Sequence, residues 1–282
     1  MEPGTLGSAM RRSAGDLTMQ LGIFDSEGRA ARARRIGLRL LSVLVILVAW
    51  EEMAPRMSGL LFPTVRGTMT ALLELLVLPA FWRALWLSNQ ALLLGFLLAA
   101  IFGVSLGLWM GRSRTVERIA APYLSILLVT PVSALIPLFI IATGLGLATR
   151  VLVVFTFACV VIVVTTRAGI RALDQSWIEM AISFGASERQ IWSRVLLPGT
   201  LPVLMTALRL GLGRAIAGMV AAELLAMAVG VGRLVLDYQG NFDAAHVFAT
   251  VLCVVAQAVA LTEGAKYLER RLWTWRTAVG NR

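Results

Sequence analysis

Long apolar runs alternate with short polar stretches from residue 36 onward, and one long amphipathic stretch interrupts the rhythm. The runs lie at about 36–53, 85–110, 119–143, 149–166, 201–229 and 244–262. They predict six membrane-spanning helices. Ahead of them, residues 1–35 are polar and rich in Gly, Ser and Arg, and read as a mobile tail whose apolar patch at 17–24 has the composition to lie on lipid. Between the first two spans, Pro63 and Thr64 open a helical spacing of Val65, Met69, Leu72, Leu73 and Leu76. This predicts an amphipathic helix on the outer interface that ends near Pro79, with Trp82 and Trp86 in the interfacial belt. Span 2 carries Gly95, Gly103 and Gly107, the last two as a G-x-x-x-G pair that permits close helix contact.

The interruption is residues 173–198. Ser176 with Glu179, and Ser187 with Gln190, have capping-box spacing, and Gly185 between them suits a left-handed helix terminator. The stretch predicts two short helices in a hairpin. Trp177, Ile178 and Ile182 form the apolar side of the first, and Ile191, Trp192 and Val195 that of the second. Pro198 is expected to stop the second helix and let a span begin.

Two spans carry features costly in lipid. Span 3 holds Pro122, Pro131 and Pro137 and cannot be a straight helix. A broken helix lining a cavity and a simple packing kink both fit. Span 5 holds Arg209, Arg214 and Glu223. At 100° per residue Arg209 and Glu223 fall near one face, with Arg214 elsewhere. Facing an interior and anchoring at the interface both remain open for the two arginines. The segment 230–245 is Gly-rich and polar, with Arg233, Asp237, Tyr238, Asn241 and Asp243.

Composition and charge then settle class and orientation. Hydrophobic residues make up 58% of 282, more than a soluble domain of this size buries. The net charge of +10 is spread between apolar runs rather than clustered on a soluble domain, which argues against nucleic acid as a partner and for membrane lipid. With six spans both termini share one side. Only Arg56, Arg66, Arg83, Arg150 and Arg233 fall on the other side, and Arg209 and Arg214 lie within span 5. Every remaining Lys or Arg of the 26 falls with the termini, so the positive-inside rule places both termini and the hairpin in the cytoplasm.

The residues that would do chemistry are missing. The single lysine, Lys266, follows Ala265, so no Walker A motif exists. Glu223 is the only acid well inside a span. The single histidine, His246, has no Cys or His close by, and Cys159 and Cys253 lie in apolar runs, so neither a metal site nor a disulfide is expected. No catalytic constellation and no cofactor site is expected on this chain. A transporter of this kind needs its energy from another protein. A membrane-embedded enzyme would want a carboxylate or histidine cluster, and an ion-coupled transporter would want inverted repeats and intramembrane acids.

Glu179-Met180-Ala181, Gly185-Ala186, Ile191 and Leu197-Pro198 resemble the EAA loop of ABC importer permeases, with Met180 in place of the first alanine. Thr130-Pro131, the run from Ala134 through Pro137 to Leu138, Gly144-Leu-Gly146, Phe62-Pro63, Leu106-Gly107, and Glu223 followed by Gly230-Val-Gly232 are similar to the nitrate/sulfonate/taurine-type permeases. The resemblance spans roughly 36–275. It implies an all-α fold of six spans with cytoplasmic coupling helices and a short outer helix, over a permease domain at 36–265 flanked by cytoplasmic tails at 1–35 and 266–282. It also implies a bacterial inner-membrane homodimer, two ATPase subunits that carry ATP and Mg, and a periplasmic or lipid-anchored binding protein. This chain would be non-catalytic and would form an alternating-access path for a small anionic solute such as nitrate, a sulfonate, taurine or a bicarbonate-like ion. A neutral or heterocyclic solute carried by another importer branch is the alternative. On this resemblance Glu179, Ala181, Gly185, Ala186, Ile191, Leu197 and Pro198 couple to the ATPase. Thr130, Pro131, Ser133, Pro137, Arg209 and Glu223 are the candidates for the path.

Overall fold

A computed structural model of the chain describes residues 34, 37–57, 62–226 and 229–272. Apart from Arg34, the expected N-terminal tail lies outside the described residues, as does the chain after Leu272. The described chain is helical and contains no strand. A helix over 37–53 (α1) is followed by a 3₁₀ turn at Ala54–Arg56. Then come α2 (Val65–Val77), α3 (Pro79–Arg112), α4 (Arg114–Val129), α5 (Ile136–Thr143), α6 (Leu147–Arg171), α7 (Gln175–Ser183), α8 (Glu188–Ile191), α9 (Leu197–Leu225), α10 (Gly230–Gly240) and α11 (Ala244–Leu272). Among the described residues four helices are long and apolar enough to cross a membrane: α3, α6, the continuous rod Glu188–Leu225, and α11. The bent pair α4–α5 raises the number to five. The first expected span falls on α1, which starts at the edge of the described residues.

The segment up to Arg66 and the chain from Gly67 onward form two compact units. In the first, the Glu51 carboxylate accepts the Val65 N–H at 2.7 Å, and the Trp50 indole donates to the Pro63 carbonyl at 2.8 Å. An acidic side chain at that N–H suits both the unpaired donor and the positive end of the helix dipole.

In the second unit α6 lies between α3 and α9, and both neighbours present small residues to it. On α3 a small residue recurs every fourth position: Ala91, Gly95, Ala99, Gly103, Gly107 and Gly111. A Cβ added at Gly95, Gly103, Gly107 or Gly111 would lie 2.6, 2.8, 2.6 or 2.5 Å from Val154, Ile162, Thr166 or Ile170 of α6. From the other side, α9 brings Ala207, Gly211, Ala215, Gly218 and Ala222 into contact, and a Cβ at Gly211 would lie 2.5 Å from Ile162. The expected G-x-x-x-G pair is thus part of a longer seam. Such seams let backbones close to van der Waals distance, the main attraction left to helices in lipid. Gln257 of α11 adds a polar tie, donating to Asn89 of α3 at 2.6 Å.

The expected apolar face of α2 is its outer face. Thr68, Ala71 and Leu75 are buried, while Met69, Leu73 and Leu76 are exposed. In a bilayer large apolar side chains cover the lipid side and small ones the protein side, so the hydrophobic stripe marks the opposite surface from that of a soluble helix. Pro79 opens α3, a position its missing N–H suits.

The Gly-rich, polar stretch 230–245 contains a helix, α10, held by three others. Glu223 (1% exposed) accepts the Gly232 N–H at 3.0 Å, and the Ser88 hydroxyl accepts the Val231 N–H at 3.0 Å. The first turn of α10 is therefore capped by side chains of α9 and α3. Gly230 has φ +67, and a Cβ there would sit 2.4 Å from both Glu223 Oε1 and Ser88 Oγ, so glycine is required. Arg150 of α6 (6% exposed) completes the group, 3.8 Å from Glu223 and donating to the Leu87 carbonyl at 3.1 Å. Arg150, counted with the outer side, is the fourth residue of α6, which begins at Leu147, and its side chain is buried against α3 and α9. Beside this group, His246 of α11 faces Asp243 at 2.7 Å and Glu74 of α2 at 3.3 Å, and stacks on Tyr238 of α10. At the other end, α11 runs helically through the expected tail boundary at 266 to Leu272.

Gly107→Leu is expected to destabilise the detergent-solubilised chain by about 1–3 kcal/mol or more, since neither backbone nor β-carbons can yield. Gly264→Ala, where a Cβ meets open space, is expected to change stability by no more than about 1 kcal/mol, and in the favourable direction. Glu223→Ala is expected to cost about 3–5 kcal/mol by leaving Arg150 buried without its counter-charge, and adding Arg150→Met should recover most of that. Thermal unfolding followed by size-exclusion chromatography measures all of these.

Candidate functional site

The amphipathic interruption folds as a capped hairpin. Asp174, rather than Ser176, caps α7: its carboxylate accepts the Ser176 N–H at 3.0 Å, which holds the acid below its usual carboxylate range. At the other end Gly185 takes φ +74. The Gly185 N–H reaches the Ile182 carbonyl at 2.8 Å and the Ala186 N–H the Ala181 carbonyl at 3.0 Å, the paired bonds of a Schellman terminator. The second expected capping box forms, with the Ser187 N–H donating to Gln190 at 2.8 Å.

The two helices are locked to each other from within. Ile178 and Ile191 are buried with Ile170 and Leu196, and Leu173, Ala181, Ala186, Trp192 and Val195 pack around them. Arg112 at the end of α3 pairs with Glu188 at 2.8 Å, and Glu117 of α4 bonds both Arg167 and Arg171 at the end of α6. The first pair ties the hairpin to the end of α3, and the others brace the end of α6, where the chain enters the hairpin, against α4.

Pro198 does not stop the second helix. Between α8 and α9 the chain makes a π turn at Trp192–Leu196, with the Leu197 N–H bonded to the Trp192 carbonyl, and the helix runs on without interruption to Leu225. A proline removes one helical donor and crowds the carbonyl four residues earlier, and the wider turn accommodates both. The hairpin and the span are therefore one rod.

The surface of the hairpin differs from the expected one. Trp177 and Ile182 do not pack inward. They stand exposed together with Met180 and Phe184 (85%), around an exposed Glu179. Of the seven coupling candidates, Ala181, Ala186 and Ile191 hold the hairpin together. Glu179, Gly185, Leu197 and Pro198 lie on its surface. A cavity of about 620 Å³ opens between α7 and the start of α9, with Trp177, Met180, Ala181 and Pro198 among its walls.

The path candidates separate into three groups. Thr130 and Ser133 border a cavity of about 270 Å³ at the break between α4 and α5. There Thr130 and Pro131 are extended, a 3₁₀ turn spans Val132–Leu135, Pro137 opens α5, and the two helical halves meet at 97°. A residue before proline is driven out of the helical region, so the break falls at Thr130–Pro131, while Pro122 stays inside α4. Arg209 pairs with Glu269 of α11 at 3.1 Å, and Glu223 belongs to the buried group with Arg150. The shared face read for Arg209 and Glu223 does not bring them together, because each meets a carboxylate or guanidinium from a different helix. Arg150, Ser88 and Glu269 escaped the sequence reading. The unpaired status of Glu223 among apolar residues was the one available signal for Arg150.

The comparisons agree with this geometry. Residues 99–274 match the family described as binding-protein-dependent transport system inner membrane component. The taurine transport system permease protein TauC of Escherichia coli K12 is 32% identical over 251 residues, covering 86% of this chain and 91% of that protein. A putative aliphatic sulfonates transport permease, SsuC of Bacillus subtilis, is 30% identical over 85% of this chain and 87% of its own length. In fold, a chain of the inward-facing MetNI methionine ABC transporter superposes with a TM-score of 0.62, covering 68% of this chain and 95% of that one at 18% identity. The chain belongs to the family of binding-protein-dependent transport system inner membrane components, the permease subunits of ABC importers.

Proposed function

We propose that the chain forms, as a homodimer, the path of an ATP-driven importer for a small anionic solute of the sulfonate or taurine kind. Two cytoplasmic ATPase subunits bind ATP and Mg and hydrolyse the nucleotide below, and a periplasmic or lipid-anchored binding protein delivers the solute from above. The chain itself catalyses nothing. Both termini and the hairpin face the cytoplasm in the bacterial inner membrane, with six spans counting α1.

The observation that carries the reading is an exposed apolar apex on a stiff rod. Trp177, Met180, Ile182 and Phe184 around Glu179 are more apolar surface than a water-facing hairpin leaves bare without a partner. The same hairpin is capped at every end, and its second helix is continuous with α9. A push on Glu179, Gly185, Leu197 or Pro198 is therefore carried into the membrane as a rigid-body movement, while Ala181, Ala186 and Ile191 keep the two short helices from sliding. Closure of the ATPase pair on ATP draws the two hairpins together and opens the path outward, and hydrolysis reverses it. The broken α4–α5 pair, with Thr130, Pro131, Ser133 and Pro137, and the inner face of α9 line the path. Arg209 and Glu223 fix its walls through Glu269 and Arg150. The anionic solute is favoured by the taurine and sulfonate relatives, whose names give their own substrates.

Gly185→Val puts a β-branched residue at φ +74, which costs about 1–2 kcal/mol locally and distorts the hairpin tip, although space around the position is open. The variant is expected to insert and to assemble with its ATPase, but to lose most transport per ATP hydrolysed in proteoliposomes. A wild-type ratio of transport to hydrolysis would refute the coupling role.

A further inference from the structure

Two of the arginines within the described spans are neutralised by carboxylates of other helices. Arg150 meets Glu223, and Arg209 meets Glu269. Among the described residues Arg214 has no carboxylate within ion-pair distance. It lies mid-way along α9, on the stripe Leu210, Gly213, Arg214 and Ala217, which is exposed while the opposite stripe packs on α3 and α6. A guanidinium at that depth cannot face hydrocarbon without a large cost, and its distance from either end of the span leaves little scope for snorkelling. Its side chain must meet water or an anion.

The cavity of about 270 Å³ at the α4–α5 break is where it points. Arg214 lines that cavity with Thr130, Ser133 and Thr156. The hydroxyl hydrogens of Thr130 and Thr156 are spent on the Ile126 and Leu152 carbonyls, both at 2.8 Å, which leaves these groups as acceptors only. Ser133 donates to no group among the described residues. The cavity wall thus offers one cationic fork and one free hydroxyl donor, beside a bend in the backbone that a straight helix would have filled. A planar fork of N–H groups matches two oxygens of a tetrahedral sulfonate or a trigonal oxoanion better than a point charge does.

We propose that Arg214, with the Ser133 hydroxyl as second donor, is the contact for the anionic group of the transported solute. The assignment rests on the reading that the α4–α5 break and α9 line the path of an anion importer, and it places the solute-facing cation at Arg214 rather than at the path candidate Arg209. Arg209 is left as a wall residue, because Glu269 already satisfies it.

The test uses the assembled complex of permease, ATPase and binding protein in proteoliposomes, with taurine, ethanesulfonate and nitrate as probes. Uptake is compared at equal amounts of assembled complex. Arg214→Gln is expected to lower uptake of whichever anion the wild type carries by about tenfold or more, as loss of a charge-assisted contact does. Arg214→Lys is expected to retain a substantial part, and Ser133→Ala to show a smaller loss. In a background with Cys159 and Cys253 replaced by Ser, Arg214→Cys is expected to react with a water-soluble methanethiosulfonate carrying a sulfonate group. Equal anion uptake by the wild type and Arg214→Gln overturns the assignment alone, as does failure of the cysteine to react. A wild-type complex that carries solutes without an anionic group and none of these three probes overturns the anionic reading together with it.

Discussion

Everything in this fold depends on how closely α6 is held between α3 and α9. Glycine and alanine at every fourth position of α3, and a similar run on α9, bring backbones to distances at which a single added Cβ would collide with Val154, Ile162, Thr166 or Ile170. With that contact fixed, α6 carries Arg150 to Glu223, and Glu223 with Ser88 holds the first turn of α10. The lower end of α6 delivers the chain into the hairpin, pinned through Arg167 and Arg171 to Glu117. A packed core of this kind moves in rigid blocks rather than by continuous deformation.

The hairpin is built to the same end by different means. Its helices are too short for a seam of that kind, so it uses caps, a Schellman terminator and a small apolar core of Ile170, Ile178, Ile191 and Leu196. The π turn at Trp192–Leu196 resolves the conflict between Pro198 and helix continuity. It is also the irregular element between the second helix of the hairpin and the span. Stiffness at that turn decides whether movement of the hairpin reaches Arg214 and the α4–α5 cavity.

Much of this was legible in the sequence, and the failures share a cause. The apolar runs, the glycine-terminated hairpin, the Ser187–Gln190 box and the break near Pro131 follow from local rules that need no neighbour. The burial pattern does not. On α2 the apolar stripe Met69, Leu73 and Leu76 marks the outer face, and on α7 Trp177 and Ile182 stand out rather than in, because large apolar residues serve lipid or a partner as readily as a core. Charge partners were hidden because they are distant in sequence. Arg150, Glu269 and Ser88 acquire meaning only once α6, α11 and α3 stand beside α9. Helix α10 was not read from the sequence because glycine is a poor helix former, whereas Gly230 and Gly232 are glycine to let Glu223 approach.

The central claim is that the hairpin and α9 move as one body. Distances between spin labels at Ile182 and Leu210 of one copy, in the assembled complex with and without bound ATP, test it most directly. The expected result is an unchanged and narrow distribution within each copy, while the distance between the two Ile182 positions across the dimer shortens on ATP binding. A within-copy distance that shifts or broadens on ATP binding would place a hinge at the π turn and contradict the account.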